Sequence, residues 1–221
     1  MKKENPLLHG FDALPELEKV FRKNFEAEDK AREKGLRLSR QVGRCGAQAV
    51  KKIHHADFDG AYLLLKEGEL SLKSAKKALA RVPEIRYAGF LHHGEKELLE
   101  AMITWYILKE QRLFIPDFKE YDWKSYLHGM AESIGELRRY LLDQIREGNT
   151  SEIEAYFSLM EELYYFLRTF DYQEGLTRGL RRMVDSMRQM LEKTRADISL
   201  VVHQAHFEKS LKHSQKDYGL D

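Results

Sequence analysis

Apolar residues recur every three or four positions over most of the chain, the period of a helix with one buried face. Nowhere do apolar and polar residues alternate for long enough to make a strand. The clearest stripe runs through Leu176, Leu180, Met183, Met187, Met190, Thr194 and Ile198, the spacing of a packed bundle helix. Prolines at positions 6, 15, 83 and 116 leave long intervals free of the strongest helix breaker. From Pro15, a first-turn proline, the chain reads helical to Gly68 with a break expected near Gly35. Ser71 is expected to cap a short helix to about Arg81, and Pro83 to open another that reaches about Arg112. The stretch from Phe114 to Trp123, with Pro116 and several Asp and aromatic residues, reads as an ordered loop. A further helix runs from about Ser125 to Glu147 and stops at Gly148-Asn149. Thr150 or Ser151 then caps an aromatic-rich helix to about Phe170. No repeat of 20–50 residues is present. The pattern predicts an all-α bundle of about six or seven helices, a single domain over residues 1–221 with frayed ends at 1–15 and 207–221.

Composition narrows the function. Lys and Arg total 37 against 36 Asp and Glu, so a chain that is 33% charged carries a formal net charge of only +1. That balance excludes binding through bulk charge, and any charged surface must come from separating the two signs in space. Hydrophobic residues at 43% suffice for a core, and the absence of low-complexity tracts argues against disorder. One cysteine, Cys45, excludes an internal disulfide and a cysteine-based zinc site; it reads as a packing residue in a reducing, cytoplasmic setting. Residues Met1 to Gly10 lack an apolar leader core, and the longest apolar stretch, Ala101 to Leu108, is far too short to span a bilayer. No membrane partner is expected.

Two acidic stripes carry the candidate chemistry. On a helical wheel, His93, Glu97, Glu100 and Thr104 lie within about 60° of one another on an otherwise apolar helix. His128, Glu132, Glu136, Arg139 and Asp143 cluster within about 80° on the next, opposite Met130, Ile134, Leu137 and Leu141. Each stripe alone is also what a solvated helix face looks like. Gly135 is out of place inside a helix, where it costs roughly 1 kcal/mol relative to alanine, and suggests close approach of a ligand or a backbone. If the stripes face each other, Glu97, Glu100, Glu132 and Glu136 form a four-carboxylate cluster that suits a hard divalent cation, Mg²⁺ or Mn²⁺. The motif argues against a di-iron bundle, because no Glu-x-x-His occurs. Arg37, Arg40, Arg44, Lys51 and His55 share a face within about 60° and suit a phosphate backbone, or a solvated surface paired with acids elsewhere. Arg86, His92 and His93 form a weaker second cluster.

The stretch Glu97-Leu98-Leu99-Glu100-Ala101, followed by an apolar and aromatic helix ending Lys109-Glu110-Gln111-Arg112-Leu113, resembles the acidic helix of translin-associated factor X. Residues Tyr126 to Arg139, with Gly135-Glu136-Leu137, resemble the next helix of translin and its partner. The Glu147-Gly148-Asn149 turn, the aromatic helix and the Arg-rich final helix are similar in order and spacing, over roughly residues 30 to 206. The resemblance implies a seven-helix bundle assembling into closed octameric barrels that bind single-stranded nucleic acid. It also implies a divalent-metal-dependent endoribonuclease acting on single-stranded RNA, with single-stranded DNA as an alternative ligand. Matched residue by residue, Glu97 and Glu100 fall on the first acidic pair and Glu136 on the acid of the Gly-Glu-Leu. Glu132 stands where active members have aspartate, and its extra methylene moves the carboxylate by about 1.5 Å. Arg37, Arg40, Arg44 and Lys51, with Arg86, His92 and His93, would then position phosphates. A nucleic-acid binder without catalysis, like translin alone, and a purely structural helical adaptor remain the competing readings.

Overall fold

The structure, a computed structural model, describes residues 10–80, 82 and 89–217. After a 3-10 turn at Phe11–Ala13, seven helices follow: α1 (Leu14–His54), α2 (Phe58–Ala78), α3 (Phe90–Glu110), α4 (Trp123–Arg146), α5 (Ile153–Arg168), the single turn α6 (Glu174–Thr177) and α7 (Leu180–Asp217). The described residues contain no strand, as the periodicity predicts. None of their helices is long and apolar enough to cross a membrane.

α3 is the central element. It packs against α1 and α2 on one side and α4 on the other, while α4 packs in turn against α5 and α7. Its fully buried Leu98, Leu99 and Ile103 join Val42 and Ala49 of α1, Leu65 of α2, Met130, Ile134 and Leu137 of α4, and Met160 of α5 in one core. Such enclosure explains why this helix is apolar in nearly every direction.

Several expected boundaries move, each for a local reason. α1 passes unbroken through Gly35, where a Cβ would come within 2.9 Å of Leu79 Cδ1. This glycine makes room for a neighbour and does not end the helix. The break comes instead at residues 55–57, where Asp57 caps α2 by accepting the Gly60 N–H at 2.9 Å. Ser71, expected as a cap, lies buried in the middle of α2. Residues 83–88, with which the Pro83 helix was expected to begin, lie outside the described residues, and the rest of it is α3, from Phe90 to Glu110.

The 114–123 loop is ordered as expected, with the Tyr126 hydroxyl donating to the Phe114 carbonyl at 2.6 Å and the Tyr121 hydroxyl donating to Glu69 at 2.8 Å. Asp122 caps α4, which begins at Trp123, two residues before the expected start. Gly148 at φ +80° closes that helix, and neither Thr150 nor Ser151 caps α5, whose N-cap is Glu152. The final stripe divides: Leu176 lies in α6 and is exposed, and a turn through Arg178 and Gly179 at positive φ leads into α7. From there Leu180, Met187, Thr194 and Ile198 are buried.

α1 is the longest helix, and its first half projects beyond the bundle. The buried stripe of its second half, through Gly35, Ser39, Val42, Ala49 and Ile53, continues at helical spacing into Leu14, Leu17, Phe21 and Phe25. Those four are exposed, although residues 11–15 lie in the stretch expected to fray. A second apolar surface is a cleft of about 810 Å³ between the end of α3, the 111–122 loop, α4 and α5.

Candidate acidic site and its basic flank

Close backbone contact sets the geometry of this site. At Gly46 of α1 a Cβ would come within 2.6 Å of the Glu97 carbonyl oxygen, and at Gly129 of α4 one would come within 2.8 Å of the Glu100 nitrogen. Only glycine permits such approach. Both acidic helices are therefore locked to their neighbours at the turns that carry the acids. Gly135, the glycine singled out from sequence, has no such contact, since its Cβ would meet only Met190 Cε at an ordinary 3.7 Å.

The structure brings three of the four expected carboxylates together. Glu100 is half-buried, and its carboxyl is pushed up to about 8, first by burial and then by the charges of Glu132 and Glu136 and a hydrogen bond with Glu132. Like charges in a partly dry site cannot all ionise freely. Glu97 stands on the α1 side of the same helix: His93 Nε2 lies 3.0 Å from its Oε1, and Glu97 Oε2 lies 2.9 Å from where a Gly43 Cβ would be.

Two basic side chains that the sequence reading passed over complete the site. Lys96 Nζ donates to Glu132 Oε1 at 2.6 Å, and His54 Nε2 meets Glu136 Oε2. The His54 ring is nearly fully buried, and its Nδ1 has no hydrogen-bond partner. With Glu132 turned to Lys96 and Glu136 to His54, no three His, Cys, Asp or Glu side chains among the described residues stand in a metal-holding arrangement. The chemistry of the donor set nonetheless fits a hard cation: the three mutually repelling carboxyls are oxygen ligands, and a divalent charge would relieve the repulsion that holds the Glu100 proton. The fit concerns donor type, and requires the two paired carboxylates to turn.

The remaining members of the two stripes have other tasks. Thr104 is fully buried and returns its hydroxyl to the Glu100 carbonyl at 2.8 Å. His128 is buried, with Nε2 donating to the Thr177 carbonyl at 2.7 Å and Nδ1 lying 3.1 Å from His92 Nε2. Burial pushes His128 below the usual histidine range, the Thr177 carbonyl opposing and His92 and Lys96 reinforcing the shift. His92 Nδ1 in turn lies 2.7 Å from Ser125 Oγ. Burial alone would raise the neighbouring Asp122, but hydrogen bonds from His92 and Ser125 and the Arg178 charge hold it well below the usual carboxylate range. Asp143 pairs with Arg146 at 3.1 Å on the surface.

On α1, Arg37, Arg40, Arg44 and Lys51 are exposed, and among the described residues none of them makes an ion pair with an acid. Of the weaker cluster, His93 is exposed on Glu97, His92 is drawn into the contact with Ser125 and His128, and Arg86 lies outside the described residues. The structure therefore sets an unpaired cationic face on the helix whose last turn delivers His54 to the acids. No sequence signal marked His54, whose partner is 82 positions away. Lys96 did carry one, being four residues before Glu100 and hence on the same helical face.

No family model matches the chain. The uncharacterized protein MJ0175 of Methanocaldococcus jannaschii is 38% identical over 191 residues, 85% of this chain and 83% of that protein. Among solved structures, AfC3PO has a TM-score of 0.79 and 29% identity, covering 86% of this chain and 98% of that one. A complex of AfC3PO with duplex RNA has the same TM-score and identity, covering 86% and 97%. Apo-NeC3PO, at a TM-score of 0.68 and 21% identity over 89% of this chain and 100% of that one, shares the fold.

Proposed function

The chain belongs to the translin and translin-associated factor X family, and on that premise we propose that it is a divalent-metal-dependent endoribonuclease. The observation that carries the reading is Glu100 held between Glu132 and Glu136, its carboxyl pushed up to about 8 by burial and by those two charges. Glu100, Glu132 and Glu136 would hold Mg²⁺ or Mn²⁺; Glu97, one turn away, would join them by leaving His93. A bound divalent ion polarises a phosphoryl oxygen and acidifies water. The protein's own part is to orient and to move a proton. With the ion's charge releasing the Glu100 proton, a carboxylate of the trio would accept a proton from the reacting water. Arg37, Arg40, Arg44 and Lys51 would hold the phosphates of the strand by charge.

RNA as the substrate is supported by the AfC3PO complex with duplex RNA, which adds duplexes to the single strands implied by the resemblance. Assembly into a homo-oligomer, an octamer by that resemblance, is supported by the exposed apolar ridge of α1 and the cleft beside α5. Monomers seldom leave such patches open to water.

The test is cleavage of labelled single-stranded and duplex RNA with Mn²⁺, with chelator, and by Glu100→Gln. Cleavage that survives both chelator and the substitution overturns the reading. A second reading, binding without cleavage, is favoured by the pairing of Glu132 with Lys96 and Glu136 with His54, which leaves the acids unavailable as they stand. Intact RNA after prolonged incubation with Mn²⁺, together with a salt-sensitive gel shift, would establish it.

A further inference from the structure

We propose that Lys96 is a built-in counter-cation of the acidic site that competes with a divalent ion for Glu132, an inference that rests on the carboxylate trio being the metal-holding site. The Lys96 ammonium lies 2.6 Å from Glu132 Oε1, with the lysine side chain 15% exposed and that of the glutamate 32%. The pair is set by backbone and not only by flexible ends. Gly129 admits the Lys96 carbonyl oxygen to within 2.9 Å of where its Cβ would lie, so the backbones of α3 and α4 are in close contact beside the two groups.

An ammonium and a hard divalent ion seek the same oxygens. Glu132 cannot give both lone-pair faces to a metal while it holds Lys96. Loading the site requires Lys96 to leave. The cost of parting a mostly buried ammonium from its partner is subtracted from the affinity for the ion.

Of the two basic groups in the site, Lys96 is the exchangeable one. Its four-carbon stem can carry the charge outward to solvent, whereas the His54 ring, at the last residue of α1, is only 3% exposed. Lys96 thus keeps the acids neutralised without metal and sets the metal concentration at which the site fills. Its role is positional.

The experiment titrates the full-length protein with Mn²⁺ alone, reading free ion by electron paramagnetic resonance, with no RNA and no turnover. Lys96→Met should bind Mn²⁺ about tenfold more tightly than wild type. Lys96→Gln, which keeps a donor for Glu132 and protects against misfolding, should shift affinity in the same direction. Lys96→Arg, which restores the charge, should stay within about twofold of wild type. Wild-type binding that Lys96→Met and Lys96→Gln leave unchanged or weaken overturns the inference alone. Absence of binding in wild type and both variants overturns the metal reading and the inference with it, and retention of full affinity by Glu132→Gln overturns the choice of site.

Discussion

Glu100→Gln should make the metal-free protein less sensitive to alkali. The Glu100 carboxyl ordinarily ionises at 4.5 and in the folded chain at about 8. The folded state therefore holds a proton that the unfolded state has lost, and stability falls as pH rises between those values. The contribution is fully present below about pH 4.5 and gone above about pH 8. At about 1.4 kcal/mol per unit, with part of the penalty relieved by water reaching a half-buried group, wild type should lose about 2–4 kcal/mol relative to the glutamine variant between pH 5 and pH 9. For a domain of this size that is a relative shift in Tm of about 5–15 °C.

The assay is thermal or urea unfolding of both proteins in chelator at pH 5, 7 and 9. Taking the difference between the two cancels the groups that do not interact with Glu100. The stability gap should move in favour of the variant as pH rises, most steeply between pH 5 and 8. Glu132→Gln, by removing one of the charges that raise Glu100, should flatten the wild-type pH dependence in the same way. A gap that stays constant from pH 5 to 9, or moves in favour of wild type, refutes the placement of Glu100 in a dry, like-charged site.

Two glycines on α4 should respond in opposite directions. Gly129→Ala drives a methyl into the Glu100 nitrogen and the Lys96 carbonyl and should cost about 1–3 kcal/mol, whereas Gly135→Ala meets only Met190 and should gain about 0.5–1 kcal/mol; urea midpoints check both. Arg40→Ala and Arg44→Ala should weaken RNA binding for every sequence tested and each reduce the slope of log affinity against log salt by about 1, read by gel shift at several ionic strengths. Phe21→Glu combined with Phe25→Glu should lower the assembly mass measured by light scattering, because charge is placed on the exposed ridge of α1.

Most of the fold was legible because helical periodicity is a property of single segments. What misled was residue chemistry with two uses. Gly35 and Ser71 carry the marks of a break and a cap, yet a glycine also admits a close neighbour and a serine also fits a crowded helix face. Only Leu79, 44 positions beyond Gly35, decides the first case. The wheel found the acids because they repeat along each of two helices, but an angle on a wheel does not say which neighbour lies there, as His93 and Gly43 do beside Glu97. His54 escaped because it answers to Glu136 across the bundle.

The distribution of ion pairs bears on what a net charge of +1 can mean. Lys76 pairs with Glu95, Lys96 with Glu132 and Arg138 with Asp197, each pair spanning two helices. Cations used in this way are removed from any phosphate-binding surface and hold the bundle together. The described cations of α1 at positions 37, 40, 44 and 51 are not used so, and they stand on one face. Near-neutrality of the whole is thus compatible with a cationic strip, because acids elsewhere are consumed in pairs or crowded into the site. A polyanion would be drawn to that strip and not to the molecule at large. Salt dependence with a slope set by about four charges, and not by all 37 Lys and Arg, is the signature that separates the two.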